Sequence, residues 1–168
     1  YKHGASDGKR SGFYNLIENR PSWKRFHMAA LSKELLKFAQ KHFDVLNRNG
    51  RIKRRVEISL LPSDGGHVRP HPDTAKKLVT LVIYLAENDW NPSWGGEFAM
   101  VSPIVLVDNK EESPEEGYRA EFDAVTLVHK VPFQPNTGVF MERSPRSFHA
   151  VYPIRAPKGR HRKSITIN

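Results

Sequence analysis

The chain contains no cysteine. This absence excludes disulfide bonds, cysteine-ligated zinc and thiol nucleophiles, so that a bound metal must be held by histidine, aspartate, glutamate or solvent. Such a ligand set favours iron, manganese or a similar ion over structural zinc. The absence of cysteine does not assign a compartment.

Long hydrophobic runs are also missing. No apolar stretch approaches the roughly 18 residues that a membrane span needs, and the first ten residues lack the apolar segment of a signal peptide. We therefore expect a cytoplasmic protein that does not bind a membrane. Its 168 residues suit a single domain with a substantial core. The sequence does not begin with methionine, which leaves open whether residues precede Tyr1 or follow Asn168.

Acidic residues are scarce relative to basic ones: 18 against 27, which gives a net charge of +9. Part of the excess is clustered at residues 51–55 and 158–163. A positive excess suits acidic partners, nucleic acid among them. These clusters are not interleaved with aromatic residues, so we favour solvated helix ends and loops, and we do not expect nucleic acid as a partner.

The N-terminal third is predicted to contain helices. Apolar residues recur at three- and four-residue spacing from Trp23 to Leu46, which is typical of an amphipathic helix. Ser22 is predicted to cap a helix that begins at Trp23, and Ser32 to cap a second helix after a break near it. Residues 1–20 are polar and are predicted to form a loop or arm.

After Gly50 the hydrophobic period changes to two. Short strands separated by Gly/Pro turns, with no helices between them, favour an antiparallel sandwich or jelly roll. The run at residues 77–85 is too apolar to have a solvated face, so we expect both of its faces to be covered. Residues 102–120 contain an acidic stretch that is predicted to be a surface insertion. Strands are predicted over residues 55–61, 77–85, 97–101, 124–131, 139–142, 149–152 and 163–167.

His71 and Asp73 lie two residues apart in a proline-rich, extended segment. In extended backbone their side chains point the same way. With a second histidine they would form the 2-His-1-carboxylate facial triad of non-haem iron sites, and His149 is the candidate. A turn pair at 71 and 73, or a buried structural histidine at 149, remains an alternative. The remaining candidates have no carboxylate two residues away in this context and are not expected to be ligands: His67, His129 and His161.

Arg162 and Ser164 repeat the two-residue spacing near the C-terminus and form a candidate anion site. A guanidinium group makes bidentate, charge-assisted hydrogen bonds to carboxylates. By strand alternation Arg160 shares the face of Arg162, so it remains an alternative if the strand bulges.

Taken in order, these motifs resemble the Fe(II)/2-oxoglutarate-dependent dioxygenases, and in particular their prolyl 4-hydroxylase-like branch. The ordered set is more specific than the His-x-Asp motif alone, and it extends from about residue 55 to the end of the chain. The resemblance implies a double-stranded β-helix (jelly roll): an N-terminal arm with helices over residues 1–50 and the jelly-roll core over 51–168. The matching segments are His-Pro-Asp at 71–73, Lys-Leu-Val-Thr-Leu-Val-Ile-Tyr-Leu at 77–85, Trp90, Gly-Gly-Glu-Phe at 95–98, His-Ala-Val at 149–151 and Arg-Lys-Ser at 162–164.

By this resemblance His71, Asp73 and His149 are the iron ligands, and the implied cofactors are Fe(II) and 2-oxoglutarate, with ascorbate (vitamin C) as an optional third. The implied reaction is hydroxylation of a substrate coupled to oxidation of 2-oxoglutarate to succinate and CO2. Prolyl or other peptidyl residues, amino acids and carbohydrate-type small molecules are all compatible with these motifs. Halogenation is disfavoured because that chemistry needs the carboxylate position vacant.

The resemblance also assigns co-substrate residues. Arg162 matches the residue that pairs with the distal carboxylate of 2-oxoglutarate, and Ser164 would donate a further hydrogen bond. Tyr84 matches a tyrosine that reaches the same carboxylate, and Thr80, on the same strand face, lines the pocket. Simple core packing remains an alternative for Tyr84.

Two other functions remain open. A metal-binding jelly-roll sensor or binding module would share the metal ligands but lack oxygenase activity. A nucleic-acid-modifying dioxygenase is suggested only by the basic charge. The oligomeric state is not indicated. Several residues are plausible at the rim of the site, without an assigned role: Arg69, Trp90, Trp94, Arg143 and Arg146.

Overall fold

The computed structural model describes residues 2–4, 12–47, 50–104 and 118–168. Its α-helices are α1 (Gly12–Asn19), α2 (Pro21–Ala30) and α3 (Lys33–His42), and short 3-10 turns lie at Asp44–Asn47, Pro92–Trp94 and Phe122–Ala124. Its strands are β1 (Lys2–Gly4), β2 (Val56–Pro62), β3 (Val68–His71), β4 (Val79–Tyr84), β5 (Phe98–Pro103), β6 (Val125–Val131), β7 (Gly138–Glu142), β8 (His149–Val151) and β9 (His161–Ile167).

The break between α2 and α3 is confirmed, and so is its cap. The Ser32 hydroxyl accepts a hydrogen bond from the backbone N–H of Leu35 at 3.1 Å, which satisfies one of the unpaired donors at a helix start. The predicted cap at Ser22 is wrong. The helix begins two residues earlier than predicted, at Pro21, whose fixed φ suits the first helical position and whose missing N–H costs nothing there. Arg20 is the capping residue and makes no side-chain cap.

Replacing Ser32 with alanine should lower the free energy of unfolding by about 1 kcal/mol, the usual value of a serine cap. Ser22→Ala is the matched control: it removes the same hydroxyl from a position where the structure shows no cap, and should change stability by less than about 0.5 kcal/mol. Urea denaturation of the two variants and the parent measures both values. Equal effects would show that the Ser32 hydroxyl has no special role in starting α3.

Two antiparallel sheets face each other as a jelly roll, which confirms the predicted fold class. The larger sheet has the order β1-β2-β9-β4-β7, and the smaller one has the order β3-β8-β5-β6. Two described parts of the predicted N-terminal loop or arm are regular instead: β1 pairs with β2 at the edge of the larger sheet, and residues 12–19 form α1.

The larger sheet is covered on both faces, as predicted for its apolar strand β4. Leu81 and Ile83 of β4 contact the cluster that the helices form against the outer face. Val82 and Tyr84, at the alternate positions, belong to the cluster between the two sheets. The helices therefore cover the outer face, and the inner face of β4 is directed towards the smaller sheet.

The smaller sheet has its own outer cluster of buried side chains: Ala99, Val101, Ala120, Val125 and Phe148. The backbone N–H of Ala120 donates to the carbonyl of Pro70 at 2.8 Å, so the segment that follows the predicted insertion runs beside β3. Most of that insertion, residues 105–117, lies outside the described residues. Among the helices of the described residues, none has the length and hydrophobicity needed to cross a membrane.

Candidate active site

The predicted ligand residues come together at one end of the space between the sheets. His71 ends β3 and His149 begins β8; the two lie directly opposite each other in the antiparallel pair, and their ring centroids are 4.5 Å apart. Asp73 follows two residues after His71. One potential ligand atom from each of these three side chains lies within 4.8 Å of the others.

Proline and aromatic neighbours hold this group in place. Pro70 and Pro72, on either side of His71, are among the most completely buried residues, and their rings restrict the backbone between β3 and Asp73. Phe98 of β5 stacks on the His149 ring at 5.4 Å with an interplanar angle of 13°. The proposed ligand residues are therefore held by well-packed backbone and not by a free loop.

Both histidines place their Nδ1 atoms beside backbone carbonyls. Nδ1 of His71 lies 2.8 Å from the carbonyl oxygen of Arg69, and Nδ1 of His149 lies 3.2 Å from that of Ser147. When Nδ1–H donates to the carbonyl, Nε2 carries the lone pair that a metal needs. Burial, together with the neighbouring His149, lowers the pKa of His71 from 6.5 to about 3, so its imidazole is neutral at physiological pH.

Asp73 is an ionised, buried carboxylate. Burial by itself raises its pKa, but Lys77, His149 and Thr80 outweigh that effect, and the net pKa is lowered. Lys77 Nζ lies 2.6 Å from Oδ1, and the Thr80 hydroxyl lies 2.7 Å from Oδ2. Arg143 Nε donates to the Asp73 carbonyl at 3.0 Å. The carboxylate is therefore charged and fixed in orientation, as a metal ligand must be.

A polar network continues from Asp73 into the larger sheet. Asn168 Oδ1 lies 3.0 Å from the Thr80 hydroxyl, and Asn168 Nδ2 donates to Glu57 at 3.2 Å. Glu57 is only 5% exposed and forms an ion pair with Arg55. Sequence reasoning missed Lys77, Asn168 and Glu57. The four-residue spacing from Asp73 could have indicated Lys77, whereas no local signal points to the other two.

Arg162 is a buried cation without a carboxylate partner among the described residues. It is 3% exposed; its Nε donates to the Gly96 carbonyl at 2.6 Å, and one terminal nitrogen donates to the Ser164 hydroxyl at 3.1 Å. Burial lowers its pKa to about 10, which still leaves it protonated at neutral pH. A buried charge of this kind is costly unless an anion accompanies it.

Tyr84 supplies a second unpaired group beside Arg162. Ser164 on β9 lies directly opposite Tyr84 on β4, and the Arg162 guanidinium carbon is 5.2 Å from the centre of the Tyr84 ring. The Tyr84 hydroxyl is buried and has no hydrogen-bond partner within the described residues, and burial raises its pKa. A phenol O–H, a serine hydroxyl and a guanidinium group therefore meet in one place, which suits a carboxylate.

Arg160, the alternative to Arg162, lies elsewhere. It forms ion pairs with Glu87 and, at 2.6 Å, with Asp89, and its guanidinium group lies over the Trp94 ring. Strand alternation does not carry it into the site because β9 begins only at His161.

The side chains of four other residues singled out from the sequence lie outside the metal-ligand group. His67 contacts the ring of Phe122, and Arg69 forms an ion pair with Glu121 at 2.5 Å. Trp90 is 7% exposed and packs in the cluster between the sheets, so it is not a rim residue. His129 lies on β6, two strands from His149 in the smaller sheet.

The donor set suits a non-haem iron. Two imidazoles and one carboxylate on one side of a site, with further positions open, are the ligands that Fe(II) oxygenases use. The family model of the 2OG-Fe(II) oxygenase superfamily matches residues 30–168, which includes every residue of the site. The chain belongs to this superfamily.

Membership of this superfamily identifies the cofactors of the site and the class of reaction. The protein is a 2-oxoglutarate-dependent dioxygenase, and its cofactors are Fe(II) and 2-oxoglutarate. The residues described above fit both. The facial triad fits the metal. Arg162, which has no carboxylate partner within the described part of the chain, and the Tyr84 hydroxyl fit a dicarboxylate.

Three solved structures are similar to this chain at low sequence identity. A prolyl-4-hydroxylase from Pseudomonas putida is 17% identical, with 99% of this chain and 68% of that chain covered and a TM-score of 0.48. An oxidoreductase of the 2OG-Fe(II) oxygenase family from Burkholderia pseudomallei is 17% identical, with coverages of 89% and 57% and a TM-score of 0.49. A prolyl hydroxylase from Trichoplax adhaerens, in complex with a hypoxia inducible factor peptide, is 22% identical, with coverages of 71% and 43% and a TM-score of 0.37.

The chain thus spans about half the length of the second and third of these structures. No curated protein sequence matches it. Its assignment to the superfamily follows from the family model, which covers most of the chain.

Proposed function

We propose that this protein is a hydroxylase, in which His71, Asp73 and His149 hold Fe(II) and Arg162 holds the distal carboxylate of 2-oxoglutarate. The observation that carries the proposal is a buried guanidinium beside the buried Tyr84 hydroxyl in the same interior as the triad. Among the described residues, the guanidinium has no carboxylate partner and the hydroxyl has no hydrogen-bond partner. A metal-binding module without oxygenase activity has no need of this second site.

The residues of the site would have different roles. Fe(II) and 2-oxoglutarate together supply the oxidising chemistry, with release of succinate and CO2. Arg162 and the hydroxyls of Ser164 and Tyr84 would orient the co-substrate by charge-assisted hydrogen bonds. Lys77 and Thr80 would keep the Asp73 carboxylate ionised and fixed in orientation.

The proposed substrate is a peptidyl residue, prolyl or other, an amino acid or a carbohydrate-type small molecule. The smaller-sheet side of the ligand group would be open to solvent, since Met100, opposite His149, and His129, one strand farther out, are exposed. A substrate would approach from this side, because the side towards the larger sheet contains the buried Arg162 and Tyr84. We further propose that the 168 residues form one domain.

An anaerobic titration tests the proposal. The purified protein is given Fe(II) and then 2-oxoglutarate, and the visible spectrum is followed for the weak charge-transfer band of a metal-bound 2-oxo acid. We expect the band only when both are present. Bound iron without a band would contradict the proposal and favour the binding module.

A second assay addresses the nucleic-acid alternative. Succinate release is measured with amino acids, proline-containing peptides and sugars, and in parallel with single-stranded oligonucleotides. We expect stimulation by a member of the first group. Stimulation by oligonucleotides alone would support the nucleic-acid-modifying dioxygenase.

A further inference from the structure

Four side chains form one row across the smaller sheet. His71 of β3 lies opposite His149 of β8, His149 lies opposite Met100 of β5, and Met100 lies opposite His129 of β6. Directly opposed residues of antiparallel strands point to the same face of the sheet. Met100 and His129 therefore face the same way as the two imidazoles of the metal-ligand group.

The packing of neighbouring residues supports this orientation. Ala99 and Val101, on either side of Met100, are buried in the outer cluster, so Met100 must point inward. Phe98, two residues before it, stacks on His149 from the inner side. On β6, Val131 belongs to the inner cluster, and His129 two residues earlier shares its face.

Met100 is exposed although it lies on the inner face. Its exposed fraction is 46%, against 3% for Phe98 two residues earlier on the same face. The space between the sheets is therefore filled at Phe98 and open at Met100, beside His149. A large apolar side chain exposed at the opening of a binding site commonly contacts a ligand.

The pairing of β5 with β6 shifts register directly after Met100 and His129. Val101 pairs with Leu127, which leaves Val128 as the extra residue of a β-bulge. Bulges bend a strand and redirect side chains, and they occur often beside active sites. This bulge ends the regular sheet just beyond the row.

Strand geometry places Met100 within reach of a substrate. Opposed Cα atoms are about 4.5–5.5 Å apart, so the Met100 Cα lies one such step from that of His149 and the His129 Cα two steps away. Outward from the metal-ligand group, the row therefore continues with the apolar thioether of Met100 and then with the imidazole of His129.

We propose that Met100 and His129 form the substrate-contact surface of the site. The proposal rests on the proposed function. Met100 supplies an apolar platform for the C–H-bearing part of the substrate, and His129 supplies a hydrogen bond to a polar group farther out. The substrate class is therefore a molecule with an apolar reacting segment flanked by a hydrogen-bonding group, and a free sugar fits this surface poorly.

Without substrate, Met100 occupies the substrate position and is itself oxidisable. The balanced reaction is thioether plus 2-oxoglutarate plus O2 to sulfoxide plus succinate plus CO2: one oxygen atom of O2 goes to sulfur and the other to succinate. Thioethers are readily oxidised to sulfoxides. The reaction needs no further reductant.

The three methionines of the chain provide an internal control. The protein is incubated with Fe(II), 2-oxoglutarate and isotopically labelled O2, without substrate, and its peptides are analysed by mass spectrometry. We expect labelled oxygen at Met100. Met28, on α2, is more exposed at 65%, so non-specific oxidation would favour Met28. Succinate formation with the label on Met28, or on Met141 of β7, would overturn the proposal.

A readout independent of turnover uses Mn(II) alone and isotope-labelled methionine methyl groups. Bound Mn(II) should broaden the NMR signal of the Met100 methyl group and leave that of Met28 unchanged. The His129 ring signal, assigned with His129→Gln, should broaden more than that of His67. Bound Mn(II) with a sharp Met100 signal would overturn the proposal.

The two proposals fail in different ways. Loss of the 2-oxoglutarate band and of succinate formation contradicts the hydroxylase function itself. A normal band and normal succinate formation, with neither label nor broadening at Met100, contradict only the contact surface. Met100→Leu should abolish the labelling and keep the band.

Discussion

Asp73→Ala is expected to weaken Fe(II) binding by more than about 100-fold, because removal of residues that merely support metal ligands already costs 10- to 100-fold. Asp73 is the only carboxylate in the triad, and its loss leaves two neutral imidazoles to hold a dication. The measurement is calorimetric titration of the metal-free variant with Fe(II) under anaerobic conditions. Asp123→Ala, at an exposed aspartate outside the triad, is the matched control and should bind as the parent does.

The same substitution leaves Lys77 and the Thr80 hydroxyl without their carboxylate partner, so a change in stability must be separated from a change in ligation. Asp73→Asn keeps the shape and the Thr80 contact but removes the charge. We expect the asparagine variant to preserve the melting temperature better than the alanine variant and still to bind Fe(II) poorly. Parent-like binding in both variants would disprove the role of Asp73.

Arg162→Gln is expected to weaken 2-oxoglutarate binding at least about 30-fold, since truncating one partner of a buried charge pair costs about 2 kcal/mol or more. Fe(II) affinity should stay within about twofold, because Arg162 contacts none of the three proposed ligands. Titration of the charge-transfer band with 2-oxoglutarate, at saturating Fe(II), gives the dissociation constant of 2-oxoglutarate. Arg160→Gln is the control, since Arg160 pairs with Glu87 and Asp89 instead.

The stability of the Arg162 variant provides an independent check. The guanidinium is buried without a carboxylate, so its removal should leave the melting temperature of the ligand-free protein unchanged or raised. With 2-oxoglutarate and Fe(II) present, the parent should gain stability and the variant should gain little. If Arg160→Gln weakened 2-oxoglutarate binding instead, the wrong arginine would have been assigned.

Much of the site follows from short-range sequence patterns. Strand alternation predicted that Arg162 and Ser164 share a face, and the structure places both, buried, on the inner face of β9. The prediction that His71 and Asp73 point the same way depended on extended backbone, which the neighbouring prolines enforce. Arg160 could not be separated from Arg162 by alternation, because it lies just before β9 and pairs with Glu87 and Asp89, which are far away in the sequence.

What the sequence could not reveal depends on register between distant strands. Met100 and His129 join the row of His149 only because β5 pairs with both β8 and β6 in one particular alignment. Asn168 reaches Thr80 across 88 residues of sequence, so no local pattern encodes their contact. The prediction of a Ser22 cap was wrong for the opposite reason: the local preference of serine for the cap was overridden by Pro21, which starts the helix two positions earlier than predicted.

The order of the larger sheet has a consequence for how the chain folds. β9 is the last strand along the chain, yet it lies between β2 and β4, which do not pair with each other. During synthesis the facing edges of both strands stay unpaired until residues 161–167 are available. The partners Val56 and Ile167 then pair across about two thirds of the chain. Such non-local pairing folds slowly and exposes strand edges to aggregation in the meantime. Because the same strand brings Arg162 into place, the co-substrate site is completed only in the step that closes the sheet.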